Sequence, residues 1–116
     1  MKTTVTRRYH FEAAHMLPHV HDGHKCKRMH GHNYEVEITV AGEVAGNGFI
    51  IDFWDLDKVM QPLIDLVDHR TLNDIVGLEN PTAELIATWF LHRLASNRVT
   101  RVRVYETKDC WADATG

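Results

Sequence analysis

Two stretches of strict alternation constrain this chain more than anything else in it. From residue 4 to 15, Val5, Tyr9, Phe11, Ala13 and His15 fall at odd positions with mostly polar residues between them. From residue 30 to 40, His30, His32, Tyr34, Val36, Ile38 and Val40 all fall at even positions. Successive side chains of a β-strand point to opposite faces, so each stretch predicts a strand with one apolar face. Between them, Pro18 to Met29 reads as a loop. An apolar sheet face must be covered, and two helical segments answer that need.

The first helix is predicted after Asp52 as its cap, with Leu56, Val59, Met60, Leu63, Ile64 and Val67 at amphipathic spacing. Pro62 lies inside it and is expected to remove one hydrogen bond and bend the axis. Gly46-Asn47-Gly48 signals the turn before it. Asn80-Pro81 is predicted to open the second helix, with proline at the first helical position and Leu85, Ile86, Trp89, Phe90 and Leu94 as the buried stripe. A strand from Val99 to Glu106 follows, and a short final one near Cys110 to Ala114. The expected fold is α+β, an antiparallel sheet with two helices packed on one face, in one domain spanning 1–116. Open sheet edges favour pairing between copies, so a homo-oligomer is expected.

Net charge is −3, which predicts no nucleic-acid or membrane partner. No apolar run approaches the roughly 20 residues of a membrane span, and the opening Met1–Arg8 has no apolar region of a secretory leader behind its charges. Cys26 and Cys110 are the two cysteines. A disulfide framework is therefore not expected, and a cytoplasmic setting is.

Six of the nine histidines lie between residues 15 and 32. Solvated loops have no physical need for imidazole at that density, whereas metal binding does. In His30-Gly31-His32 both rings leave one face of the strand, and Gly31 is expected to let the backbone approach what they bind. If the two strands pair antiparallel, His15 lies near them. Three histidines leave a fourth tetrahedral position open, which is how catalytic zinc is held. The bland alternative is a pair of surface histidines beside a turn.

Cys26 sits among His24, Lys25, Lys27 and Arg28, and positive charge favours a thiolate over a thiol. It reads as a base or nucleophile, or else as an inert thiol or a fourth, site-closing zinc ligand. Asp68-His69 at the end of the first helix suits a proton shuttle, or simply a helix terminus with Asn73 forming the turn. Glu106 shares parity with Val102 and Val104, where a carboxylate needs a partner; a guanidine-like edge with two parallel N–H donors would satisfy it. Alternatively the strand has ended and Glu106 is wet. His92 and His10 read as exposed. His19, His21 and His24 are spare loop ligands with no strand to hold them.

These positions fall within a longer pattern: Phe11-Glu12-Ala13-Ala14-His15, Cys26-Lys27-Arg28-Met29-His30-Gly31-His32-Asn33-Tyr34, Ile51-Asp52-Phe53, Asp68-His69-Arg70-Thr71-Leu72-Asn73-Asp74, Glu79-Asn80-Pro81-Thr82-Ala83-Glu84 and Tyr105-Glu106-Thr107. Nearly end to end, the chain resembles the 6-pyruvoyltetrahydropterin synthase and 6-carboxytetrahydropterin synthase family. The resemblance implies the tunnelling fold, in which small subunits join their sheets into a barrel, typically as a hexamer built as a dimer of trimers, with active sites between subunits.

By position it implies zinc (Zn2+) on His15, His30 and His32, and Cys26 as general base. Asp68 and His69 would complete the proton relay, with Cys26 supplied by its own loop or a neighbour's. Glu106 would anchor the aminopyrimidine edge of a pterin and could also enter the relay, with Thr82 nearby. Three residues separate Cys26 from His30, the spacing of the 6-carboxy enzymes of the queuosine route. The implied reaction converts 7,8-dihydroneopterin triphosphate to 6-carboxy-5,6,7,8-tetrahydropterin, acetaldehyde and triphosphate. The near alternative is the pyruvoyl enzyme, which eliminates triphosphate without cleaving the side chain. A non-enzymatic zinc-binding module is the more distant one.

Overall fold

In a computed structural model describing residues 2–116, the alternating segments pair as a long antiparallel hairpin. Residue 1 of the expected 1–116 unit lies outside the described residues. Strand β1 (Lys2–His15) and strand β2 (His30–Glu43) match residue for residue, from Lys2 opposite Glu43 to His15 opposite His30. Helix α1 (Phe53–Val67) follows, then a two-residue strand β3 (Arg70–Thr71), helix α2 (Ala83–Arg93), strand β4 (Val99–Thr107) and strand β5 (Cys110–Thr115). The sheet order is β3-β1-β2-β4-β5, antiparallel except that β3 runs parallel to β1.

Odd positions of β1 and even positions of β2 form the face toward the helices. Phe11, Tyr34, Val36, Ile38, Val102 and Val104 are buried there against Leu56, Met60, Ile86 and Phe90. Phe11 stacks on Tyr34 with centroids 4.9 Å apart, worth about 1 kcal/mol beyond the area buried. Truncating Phe90 to alanine in such a core costs about 3–5 kcal/mol. The opposite face is polar, and Glu37 on it is buried among Arg8, Arg101 and Tyr105.

Asp52 caps α1 as expected, its carboxylate accepting the Trp54 N–H at 2.9 Å. The helix is unbroken across Pro62, which lies on the exposed face, where the carbonyl left without a donor can meet water. The start of α2 differs from expectation. Pro81 is not its first residue: Thr82 is the cap, its hydroxyl accepting the Leu85 N–H at 3.1 Å. A threonine side chain satisfies a free helical N–H, which proline cannot do, so the boundary shifts by two residues. Leu85 then points outward and is 44% exposed, while Ala87 joins Ile86, Trp89 and Phe90 in the core.

Beyond Ala13 and Ala14, which pair with β3, the outer edge of β1 carries no strand partner among the described residues, and neither does that of β5. The long hairpin extends the molecule to 56 × 24 × 23 Å. No described helix is long and apolar enough to cross a membrane.

Candidate metal centre

The register of the hairpin brings the three histidines together. His15 ends β1 directly opposite His30, the first residue of β2, and His32 lies two residues further on the same face. One nitrogen from each ring lies within 4.8 Å of the others, and no cysteine or carboxylate among the described residues completes the group. His15 is fully buried.

Hydrogen bonds fix which nitrogen His15 and His30 offer. His15 Nδ1 is 2.8 Å from the Pro81 carbonyl, and His30 Nδ1 is 2.7 Å from the Arg28 carbonyl. A carbonyl only accepts, so both Nδ1 atoms carry the proton and both Nε2 atoms present lone pairs. Those two Nε2 atoms are 2.9 Å apart. Two lone pairs at that distance repel unless a cation lies between them. His32 Nε2 is buried with no hydrogen-bond partner. A buried polar nitrogen without a partner costs about 1–3 kcal/mol, which ligation of an ion through its lone pair removes.

Burial favours the neutral form of two of the rings. Burial lowers the pKa of His15 below the usual value, opposed by the Pro81 bond and Glu106 and reinforced by His30 and His32. Burial likewise lowers that of His32, against Glu106 and with His30. Neutral imidazole is the form that ligates, so the group is suited to a divalent metal on three nitrogens.

A cleft of about 370 Å³ opens beside the centre, lined by Lys25, Cys26, His30, His32, Glu106 and Thr107. Cys26 sits in a single 3₁₀ turn, Lys25–Lys27, whose first N–H groups are gathered by His24: its Nδ1 accepts from Cys26 N at 3.0 Å. The thiol is half-buried and stands outside the histidine group, so the centre is not closed by sulfur. Glu106 does not lie beyond the strand; β4 continues through it to Thr107, with a register shift between Tyr105 and Thr107. Its carboxylate lies 3.9 Å from His32 Nε2, on the side occupied by Val102 and Val104.

Asp68 and His69 lie elsewhere. His69 helps to line a cavity of about 500 Å³ together with Glu12, Ala14, Asn33 and Thr71, with His32 common to both spaces. Asp68 Oδ1 is 3.0 Å from His69 Nδ1 and accepts the Glu12 N–H at 2.9 Å. That backbone bond first, and then His69, hold the Asp68 carboxyl below its ordinary pKa although burial opposes them. The His69 backbone is left-handed, φ 57°, a conformation costly for most side chains and retained here by the Glu12 carbonyl accepting its N–H at 2.6 Å. Within one chain, then, Cys26 and Glu106 face the histidines and the Asp68–His69 pair does not. Thr82 is spent on capping α2, with its hydroxyl proton still free to donate.

Three features escaped sequence reading. Tyr34, whose hydroxyl lies 3.1 Å from His15 Nδ1, reads as an ordinary core residue. The Pro81 carbonyl carries no side-chain signal. Strand β3 is too short to show a period. At Gly31 the φ is not positive, and a Cβ there would sit 3.5 Å from the Ala13 carbonyl, an ordinary contact.

A family model described as 6-pyruvoyl tetrahydropterin synthase matches residues 4–116. The chain belongs to this family. A 6-carboxy-5,6,7,8-tetrahydropterin synthase of Synechocystis sp. is 42% identical, the match covering 78% of this chain and 73% of that protein. A dihydroneopterin monophosphate aldolase of Pyrococcus furiosus is 36% identical over 84% of this chain and 79% of that one. The solved 6-pyruvoyl tetrahydropterin synthase of Caenorhabditis elegans superposes with a TM-score of 0.91 at 29% identity, covering 100% of this chain and 96% of that one. The tunnelling fold expected from the sequence is thus the fold of this family member.

Proposed function

We propose that this chain is a zinc-dependent lyase that converts 7,8-dihydroneopterin triphosphate, with one water, to 6-carboxy-5,6,7,8-tetrahydropterin, acetaldehyde and triphosphate. The observation that carries the reading is the pair of facing Nε2 lone pairs on His15 and His30, with the unpartnered His32 Nε2 beside them, at the mouth of a cleft that also holds a thiol and a carboxylate. His15, His30 and His32 would hold zinc, which supplies Lewis-acid stabilisation of negative charge developing on a substrate oxygen.

The chain's own residues supply the rest. Cys26 takes a carbon-bound proton from the side chain; its place in the cleft wall, outside the histidine group, supports that role over ligation. Glu106 accepts the two N–H donors of the pterin's aminopyrimidine edge, fixing which carbon faces Cys26. Thr82, close by at the start of α2, donates its free hydroxyl proton to the same ring. Asp68 orients His69 through Nδ1, and His69 returns a proton from Nε2. Because His69 lines a different space from Cys26, the pair serves the site of a neighbouring copy. The unpaired edges of β1 and β5 support such an assembly, a hexamer arranged as a dimer of trimers. The three-residue spacing between Cys26 and His30 supports the 6-carboxy product, and with it a place in queuosine synthesis in the cytoplasm.

Incubating the zinc-loaded protein with 7,8-dihydroneopterin triphosphate and identifying products by mass tests this. Acetaldehyde released in step with triphosphate is the expected outcome. A pyruvoyl pterin overturns the choice of product but not of family chemistry. Zinc binding with no turnover of 7,8-dihydroneopterin triphosphate points to a metal-binding module.

A further inference from the structure

The chain immediately after His15 is held by one side chain. Asn73 Oδ1 accepts the Met16 N–H at 3.0 Å, and Asn73 Nδ2 donates to the Met16 carbonyl at 2.8 Å. The same Nδ2 reaches the Glu79 carbonyl at 3.3 Å. A carboxamide offers one acceptor oxygen and two donor hydrogens, and here every one has a backbone partner. Engaging both backbone groups of one residue is what a neighbouring strand would do. β3 ends its pairing at Ala14 opposite Thr71, and Asn73 takes over that pairing two residues further on.

The two ends of this clamp matter because of what they carry. Met16 is bonded to His15. Glu79 lies two residues before Pro81, whose carbonyl fixes the His15 ring through Nδ1. Asn73 therefore ties the backbone of His15 to the loop that orients its imidazole. The strap from Asp68 to Asn73 lies along Glu12 to Met16 throughout: His69 N–H donates to the Glu12 carbonyl, Arg70 and Thr71 pair with Ala13 and Ala14, and Asn73 closes the far end.

We propose that Asn73 is a positioning residue for His15, one that aims the His15 Nε2 and so sets the affinity of the three-histidine centre for a divalent metal. The inference rests on reading those histidines as a metal centre. Asn73 touches neither metal nor substrate; it acts through the geometry of one ligand. Partners that orient a ligating histidine are worth about 10–100-fold in metal affinity.

The test compares the full chain with Asn73→Ala, Asn73→Asp and a control, Val99→Ala. Zinc affinity is measured by chelator competition, and ligand geometry by the visible spectrum of the cobalt(II)-loaded protein. Val99 is buried opposite Val40, which shares its row with Val5, about 33 Å from His15 at about 3.3 Å per residue of strand. Val99→Ala lowers melting temperature and leaves zinc affinity and the cobalt bands unchanged. Asn73→Ala lowers zinc affinity about 10–100-fold and alters the cobalt bands. Asn73→Asp keeps the acceptor for Met16 N–H, loses both donors and gives an intermediate loss, about tenfold; it decides the matter where the alanine variant does not fold. Wild-type affinity and spectrum in the Asn73 variants overturn the proposal alone. So does an equal loss of affinity in Val99→Ala, which makes the effect one of stability. A wild-type protein that binds no zinc overturns the metal centre itself and this inference with it.

Discussion

His15 and His30 face each other across the last rung of the β1–β2 ladder with their Nε2 atoms 2.9 Å apart, each ring's other nitrogen bonded to a backbone carbonyl. Both tautomers are thereby set to offer lone pairs to one point. Replacing either ring by alanine removes a ligand and relieves the repulsion. His15→Ala and His30→Ala should each weaken zinc binding at least about 100-fold while the unloaded fold survives. Equilibrium dialysis with metal analysis checks this; a variant that retains stoichiometric zinc contradicts the assignment.

Cys26 separates the enzyme from a passive zinc site. Its thiol is not among the clustered donors, so Cys26→Ala should keep one zinc per chain. Turnover should fall about 10²–10⁴-fold, the usual worth of a positioned general base. Loss of zinc together with turnover would instead make the sulfur a ligand.

Glu106 is the carboxylate nearest the centre, 3.9 Å from His32 Nε2. Glu106→Gln keeps the size but offers one acceptor where two are needed. The expected loss in kcat/KM for the pterin is about 2–3 kcal/mol, roughly 30–150-fold, from an unmatched N–H donor. Steady-state kinetics decide it, with zinc content measured in parallel to exclude an effect on the centre.

Thr82→Ala probes a residue that caps α2 and is proposed to contact the substrate. Loss of the cap on α2 should cost about 1 kcal/mol of stability in urea unfolding. Thr82→Ser preserves the hydroxyl and should match the wild type in stability. A rise in KM in Thr82→Ala that the serine variant rescues marks the substrate contact.

The sheet's polar face predicts an acid limit. Burial raises the Glu37 pKa, but hydrogen bonds and charges from Arg8, Tyr105 and Arg101 outweigh it and hold the carboxyl below its ordinary value. A carboxyl depressed in the folded state binds fewer protons there than in the unfolded chain. Its stabilisation is therefore complete above the unfolded value of about 4.5 and is lost as pH falls through that value toward the folded one. Urea unfolding between pH 3 and 7 should show stability falling below about pH 4.5, and Glu37→Gln should flatten that fall while lowering stability at neutral pH by about 2 kcal/mol.

Much of this was legible in the linear order of residues. Alternation of period two marked β1, β2 and β4, the three–four spacing marked α1, and the density of histidines around His15, His30 and His32 marked a group that could hold a metal. These signals are local: a strand or helix writes its exposed and buried sides into its own residues. The start of α2 went astray because proline and threonine compete for the same boundary, and only the geometry of the Leu85 N–H chooses between them. Leu85 was misplaced with it.

What the tertiary structure alone decided is convergence. Registry put His15 opposite His30, and the loop from Leu72 to Pro81 folded back so that a backbone carbonyl and the Asn73 amide both act on His15, from positions 58 to 66 residues away in sequence. Neither contact leaves a periodic trace, since a carbonyl is common to every residue and a lone asparagine reads as a turn. The separation of Asp68–His69 from Cys26 was equally hidden. Residue types announce which chemistry a chain can perform; only packing determines which side of the sheet each group faces, because side-chain direction depends on pairing partners far away along the chain.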